Sequence, residues 1–282
     1  MATLVKAPLT FKLGGELEIN RLGYGAMQLT GTGVFGDVAD RENAKKVLQE
    51  AVTAGVNFID TAEAYGPKTN ESLIAEALYP YKSDLVIATK GGFDRPGPNR
   101  WVPNGTPAHI AENINGSLQR LKQERIDLWQ LHRFDPNVPV EETLAPVAEA
   151  VKAGKIRYVG LSEVNVEQIE RARKIVPIVS VQNLYNLGNR QWEEVLDYTT
   201  EQDLAFIPWY PLASGPHTLA EKIAGIAAKH NATTAQIALA WLLKRAANIL
   251  LIPGTSSVAH LKENVAAANI ELSEEEFEAL SK

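Results

Sequence analysis

The stretch GTGVFG, residues 31–36, decides between two folds. It matches G-x-G-x-x-G, the turn that binds a pyrophosphate in a doubly wound sheet. Such a turn has to open a helix directly. Here DVADRE follows, and the first helical pattern starts only after Asp40. Asp40 is a candidate N-cap and Gly55 a stop. Between them Ala44, Val47, Leu48, Ala51 and Val52 fall at i, i+3, i+4, i+7 and i+8, one apolar face. Residues 31–36 therefore read as a loop, and the doubly wound fold loses its signature.

Outward from that loop, short apolar runs alternate with helix-period segments along the chain. A hairpin candidate comes first, with strands 10–13 and 16–19 about Gly14-Gly15. Strands are then expected at RLGYGAM (21–27), VNFID (56–60), DLVIATK (84–90) and RIDLWQLH (125–132). IRYVGLS (156–162), IVSVQNLYN (178–186), AFIPWYPL (205–212) and NILLIP (248–253) continue the series. Residues 91–105, GGFDRPGPNRWVPNG, read as a long loop, and Pro146 as a kink in, or the start of, the helix within 140–154. Strands apolar on both faces and separated by helices argue for a parallel sheet with helices packed over it. Eight such units without a linker predict a (β/α)8 barrel with an N-terminal β-hairpin, one domain over residues 1–282.

Composition agrees with a large buried core: 282 residues, 45% hydrophobic and 22% charged, with a net charge of -6. There is no basic stripe to suggest nucleic acid and no basic amphipathic helix to suggest a membrane surface. Cysteine is absent, which excludes disulfides, thiolate nucleophiles and cysteine-held metals. The first residues lack the apolar core of a signal peptide, so the chain reads as soluble and cytoplasmic. No metal is expected.

In a barrel of this kind the C-terminal strand ends line the mouth, where active sites are built. Asp60, Lys90, His132 and Ser162 end four consecutive apolar strands, Gln182 and Asn183 lie on the next and Trp209 on the one after. Tyr65 hangs from the loop after Asp60. Taken singly, each has a plain role: a turn cap, a solvated lysine, a surface histidine, a packed aromatic. Together they make a proton-transfer device. A lysine cation near the phenol favours phenolate and is expected to lower its pKa, and a buried lysine needs a counter-ion, a task for Asp60. The phenol then acts as general acid, and histidine orients a carbonyl oxygen by a hydrogen bond. That suits protonation of an oxygen while carbon receives a hydride from a cofactor.

The motifs IDTAEAYG, ATKGG, LWQLHR, GLSE, VQNLYN, WYPL and LIPGTSSVAHLKEN occur in the order and rough spacing of the aldo-keto reductase superfamily. The chain resembles that family over nearly its whole length, above all the bacterial, pyridoxal reductase-like members with the IPGTSS segment. The resemblance implies a catalytic tetrad of Asp60, Tyr65, Lys90 and His132, with Tyr65 as proton donor. It implies NADPH lying extended across the mouth. Ser162 and Gln182 would hold the carboxamide and Trp209 would stack on the nicotinamide. Ala26, Met27, Tyr210, Pro211 and Leu212 would add contacts. Gly254, Thr255, Ser256 and Ser257 would receive the 2′-phosphate, where N–H groups and a helix dipole favour an anion. Glu263 and Asn264 would meet adenine. Phe93 and Trp101 would border a substrate pocket for small carbonyl compounds.

Three departures from the family pattern stand out. Glu163 replaces the usual asparagine, bringing a carboxylate close to the carboxamide site. Gly254 and His260 stand where many relatives carry lysine and arginine, which lowers the expected NADPH preference and leaves Lys262 to compensate and NADH to be used weakly. The chain given stops at Lys282, without a long C-terminal substrate wall. The expected function is NADPH-dependent reduction of aldehydes or ketones by a monomer. One alternative is a non-catalytic, cofactor-binding regulatory subunit of the same fold. Another is a hydrolase built on Asp60 and Glu63, which leaves Lys90 and His132 without a role.

Overall fold

A computed structural model describes residues 9–212 and 217–282. Strands β1 (Thr10–Leu13) and β2 (Leu17–Asn20) form an antiparallel hairpin about Gly14 and Gly15. Gly14 has φ 60°, and a Cβ there would lie 2.4 Å from the Tyr158 ring, so the turn needs glycine on both counts. Leu13 and Ile19 pack into the cluster of Phe58, Val86, Ala88, Leu128, Ala205, Ile207 and Leu250. Asn57, just before the second barrel strand, bonds Asn20 N and Glu18 O. The hairpin thus seals the N-terminal end of the barrel.

The barrel strands are β3 (Tyr24–Gly25), β4 (Phe58–Asp60), β5 (Val86–Gly91), β8 (Ile126–Leu131), β9 (Ile156–Ser162), β10 (Ile178–Gln182) and β11 (Ala205–Phe206). They pair in parallel in the order β11-β10-β9-β8-β5-β4-β3. Single parallel bridges, Phe206 to Ile249 and Leu22 to Leu251, insert an eighth segment between the two edges and close the ring. This is the expected (β/α)8 barrel with its hairpin. The first strand is shorter than 21–27, because Ala26–Gln28 turn into a 3-10 helix. A Cβ on Gly25 would lie 2.5 Å from Ile252 O, so the first and eighth segments approach closely only without a side chain there.

The helices are α1 (Arg41–Thr53), α2 (Thr69–Leu78), α3 (Pro107–Arg120), α4 (Val140–Lys152), α5 (Val166–Arg173), α6 (Glu193–Glu201), α7 (His217–His230), α8 (Thr234–Arg245), α9 (Val258–Ala266) and α10 (Glu274–Ser281). The Asp40 side chain accepts from Asn43 N and caps α1, which leaves 31–36 a loop. Pro146 lies inside α4 rather than at its start. The expected loop 91–105 instead folds into an antiparallel hairpin of β6 (Phe93–Gly97) and β7 (Arg100–Pro103) over the mouth. Among the described residues no helix is long and apolar enough to cross a membrane.

Candidate active site

Asp60 ends β4, Lys90 lies near the end of β5 and His132 follows β8, so the parallel register carries all three to one end of the barrel. Side-chain alternation puts Gln130 on the face of β8 that His132 continues, directly across from Lys90. Lys90 Nζ donates to Asp60 Oδ1 at 2.5 Å, to Thr61 O at 2.8 Å and to Tyr65 Oη at 3.4 Å. The second Asp60 oxygen accepts from Gln130 Nε2 at 3.1 Å and Gln182 Nε2 at 2.9 Å. Asp60 is thus held by three donors, and the ion pair has side-chain exposures of 0% and 3%. Burying such a pair is tolerated because its remaining hydrogen-bonding capacity is met by neighbours.

Burial pulls the Lys90 pKa down, but Asp60 and then Tyr65 outweigh it, and the net direction is up. Lys90 is a cation. Tyr65 departs from the expectation. Burial raises its pKa, Lys90 opposes this and Asp60 reinforces it, leaving the phenol above its ordinary value. The reason is geometric: the ammonium is nearest Asp60 and only 3.4 Å from the phenol, which is itself buried. Burial, then Lys90 and Arg133, hold His132 well below the usual histidine value, so it is neutral. Its ring lies 5.8 Å from Tyr65 and 4.7 Å from Phe93, centroid to centroid. Its backbone N donates to Gly91 O, while Nδ1 is buried with no partner among the described residues.

These groups open into a cleft of about 940 Å³, in the size range of small-molecule and cofactor sites. Its lining runs from Gly25, Met27 and Gly254 past Trp209, Tyr210, Pro211 and Leu212 to Asp60, Tyr65 and His132. Ser162 and Gln182 lie along it, with Phe93 and Trp101 at the far wall. Ser162 Oγ accepts from Arg133, leaving its O–H to donate outward. Ala26 is buried and gives its carbonyl to Asn70, so it does not face the cleft.

Thr255, Ser256 and Ser257 lead into α9, and Glu263 and Asn264 lie in its second half; none of the five lines the cleft. Ser257 Oγ caps α9 by accepting from His260 N, and Thr255 Oγ1 accepts from Ser257 N. Tyr24 Oη bonds Thr255 O at 2.6 Å and fixes this turn to β3. A Cβ on Gly254 would lie 2.9 Å from Gly25 O, so the close approach of strand ends favours glycine there. Lys262 pairs with Glu50 of α1 at 3.3 Å, so its charge is shared with that carboxylate.

Glu163 follows β9 with a left-handed backbone, φ 54°. It accepts from Leu184 N at 2.5 Å, from Trp209 Nε1 at 2.7 Å and from Trp192 Nε1 at 3.3 Å. The extra carboxylate is therefore a clamp on the aromatic wall. Asn183 braces the same turn through Val164 N and O. Gln130 and Arg133 were not singled out in the sequence. A glutamine inside an apolar strand, and an arginine following His132, were the available signals.

The mouth of this barrel thus carries a buried Asp–Lys pair, a protonated phenol and a neutral imidazole beside an elongated cleft. That defines a class: barrel proteins equipped for proton transfer to a bound small molecule. A model of the Aldo/keto reductase family matches residues 21–282, and the chain belongs to that family. An uncharacterized oxidoreductase of Schizosaccharomyces pombe is 49% identical, covering 94% of this chain and 87% of the relative. Pyridoxine 4-dehydrogenase of Escherichia coli is 44% identical over 96% of both chains. The crystal structure of an aldo-keto reductase from Klebsiella pneumoniae in complex with NADPH superposes with a TM-score of 0.81 at 26% identity, covering 98% of this chain and 94% of that one.

Proposed function

We propose that this chain reduces small aldehydes and ketones to alcohols with NADPH, and that Tyr65 is the general acid. The observation that carries this reading is Lys90 Nζ held between Asp60 Oδ1 at 2.5 Å and Tyr65 Oη at 3.4 Å at the floor of the cleft. A phenol above its ordinary pKa keeps its proton at neutral pH and has one to give. Neutral His132 hydrogen-bonds the substrate oxygen and sets its direction toward Tyr65. As that oxygen gains charge, Lys90 steadies the phenolate left behind and Asp60 keeps Lys90 charged.

The residues fit a nicotinamide dinucleotide. Ser162 and Gln182 both line the cleft, Ser162 has its O–H free to donate, and Gln182 is held in place by its amide N–H to Asp60. Ser162 and Gln182 would hold the carboxamide, Trp209 would lie against the ring, and the α9 turn from Gly254 to Ser257 would hold the 2′-phosphate with Asn264 and Glu263 beside it. When bound, the cofactor supplies the hydride. NADPH in a related structure and the pyridoxine 4-dehydrogenase relative support the choice of NADPH and of pyridoxal as an early substrate. The phosphate end offers hydroxyls and N–H groups with Lys262 shared with Glu50, so NADH is expected to work slowly.

The test is to mix protein with 4-nitrobenzaldehyde or pyridoxal and NADPH or NADH, and follow loss of the reduced-nicotinamide absorbance. Consumption with NADPH, slower with NADH, is expected. No consumption with any pair overturns the reductase reading, and an NADH preference overturns the phosphate site.

A further inference from the structure

Arg133 follows His132 at the end of β8 and is the cation lining the cleft among the described residues. Its Nη1 donates to the His132 carbonyl at 2.5 Å and to Ser162 Oγ at 2.9 Å. These two bonds fix the guanidinium and use one of its three nitrogens. Nε and Nη2 make no hydrogen bond to the described residues. Its carbon lies 5.8 Å from the Phe93 ring centroid and 6.0 Å from that of Trp209, between the two aromatic walls.

No carboxylate among the described residues is within ion-pair distance of this guanidinium. Glu163 acts on it only through its field, its oxygens being occupied by Leu184 N and the indoles of Trp192 and Trp209. Asp60, the carboxylate that lines the cleft, is committed to Lys90, Gln130 and Gln182. A half-buried arginine stays charged, and leaving it without an anion carries a desolvation cost. Its planar fork of donors matches a carboxylate or phosphate in two-point contact. A brace for Ser162 alone would need a neutral donor only.

We propose that Arg133 binds an oxyanion group on the substrate, so that the carbonyl compounds preferred by this site carry a carboxylate or a phosphate. The proposal rests on the reductase reading above and assigns its substrate class. The carbonyl sits at Tyr65 and His132, the body of the molecule runs along Phe93 and Trp101, and the anion meets Nε and Nη2 of Arg133.

The experiment compares charged with neutral aldehydes, using NADPH: 3- and 4-carboxybenzaldehyde against the near-isosteric 3- and 4-nitrobenzaldehyde, and pyridoxal 5′-phosphate against pyridoxal. Each is measured in wild type, Arg133→Met and Arg133→Gln, the last keeping a donor for Ser162. The readout is the ratio of kcat/KM, charged over neutral, which cancels any general damage to the site. A charge-assisted hydrogen bond predicts a fall of roughly tenfold or more in that ratio in both variants. A fall confined to the benzaldehydes assigns carboxylate, and one confined to the pyridoxal pair assigns phosphate. In wild type, KM for the preferred charged member should rise with ionic strength while its neutral partner stays constant. Ratios within twofold of wild type in both variants overturn the proposal. If both variants are inactive toward every aldehyde, a salt-independent wild-type KM overturns it and a salt-dependent one supports it. Reduction of neutral aldehydes with unchanged ratios removes Arg133 alone, whereas a wild type that reduces nothing removes the reductase reading as well.

Discussion

Lys90 Nζ sits 2.5 Å from Asp60 Oδ1 and 3.4 Å from Tyr65 Oη, and that inequality governs the proton chemistry. Burial raises the phenol's pKa, the Lys90 cation opposes this and the Asp60 carboxylate offsets part of that opposition, so the pKa stays above its ordinary value. The sign for catalysis follows. Reduction needs the protonated phenol, which persists below a raised pKa and is lost only as pH rises through it. The rate of reduction should therefore stay level from about pH 6 to about pH 9, with His132 neutral throughout. Alcohol oxidation needs phenolate and should rise over the same interval. A pH profile of kcat for reduction with a basic limb near pH 7 would contradict this. At this scale the strand-end residues Asp60, Lys90 and His132 were legible, because a charged or polar group closing an apolar strand is conspicuous. Glu163 stood out as a departure, but its role as a clamp was not legible, since its partners Trp192 and Trp209 lie 29 and 46 residues away and nothing local announces them.

The β6–β7 hairpin was hidden by its composition. Pro96, Pro98 and Pro103 cannot donate to a ladder, and the run reads as loop. What holds it is tertiary. Arg95 donates from Nε to Arg100 O at 2.9 Å, from Nη1 to Ala64 O at 2.6 Å and from Nη2 to Gly33 O at 3.0 Å. Its guanidinium carbon lies 3.5 Å from the Trp101 ring centroid. One side chain thereby ties the hairpin to the Tyr65 loop and to residues 31–36, the segment whose glycines resembled a nucleotide turn. Arg95→Gln should loosen Trp101 while leaving the barrel folded. KM for 4-nitrobenzaldehyde should rise roughly tenfold, with NADPH affinity changed much less. Steady-state kinetics alongside fluorescence titration with NADPH checks this. An unchanged KM would show that the hairpin is not a substrate wall.

The closed barrel was legible from its eight alternating units; what was not is that the last segment joins it through single bridges at Ile249 and Leu251. Arg21, 1% exposed, fastens that seam. Its Nε donates to Ile249 O at 2.9 Å and its Nη2 to Leu243 O at 2.9 Å and to Ala246 O, where cationic charge also favours the C-terminal end of α8. Arg21→Leu strips these carbonyls of their donor and should cost about 3 kcal/mol or more, read as a lower urea midpoint with the slope preserved. A loss under about 1 kcal/mol would place the strength of the closure elsewhere. A closed ring matters because it holds the strand ends, and so Asp60, Tyr65, Lys90 and His132, around one cleft. The most direct test of that arrangement as a reductase is the single-turnover rate of Tyr65→Phe with NADPH and 4-nitrobenzaldehyde, measured beside NADPH affinity. The change removes one hydroxyl at the cleft floor. The expected result is unchanged NADPH binding with a rate lower by about 10²–10⁴-fold. A rate within a few-fold of wild type would contradict Tyr65 as the proton donor.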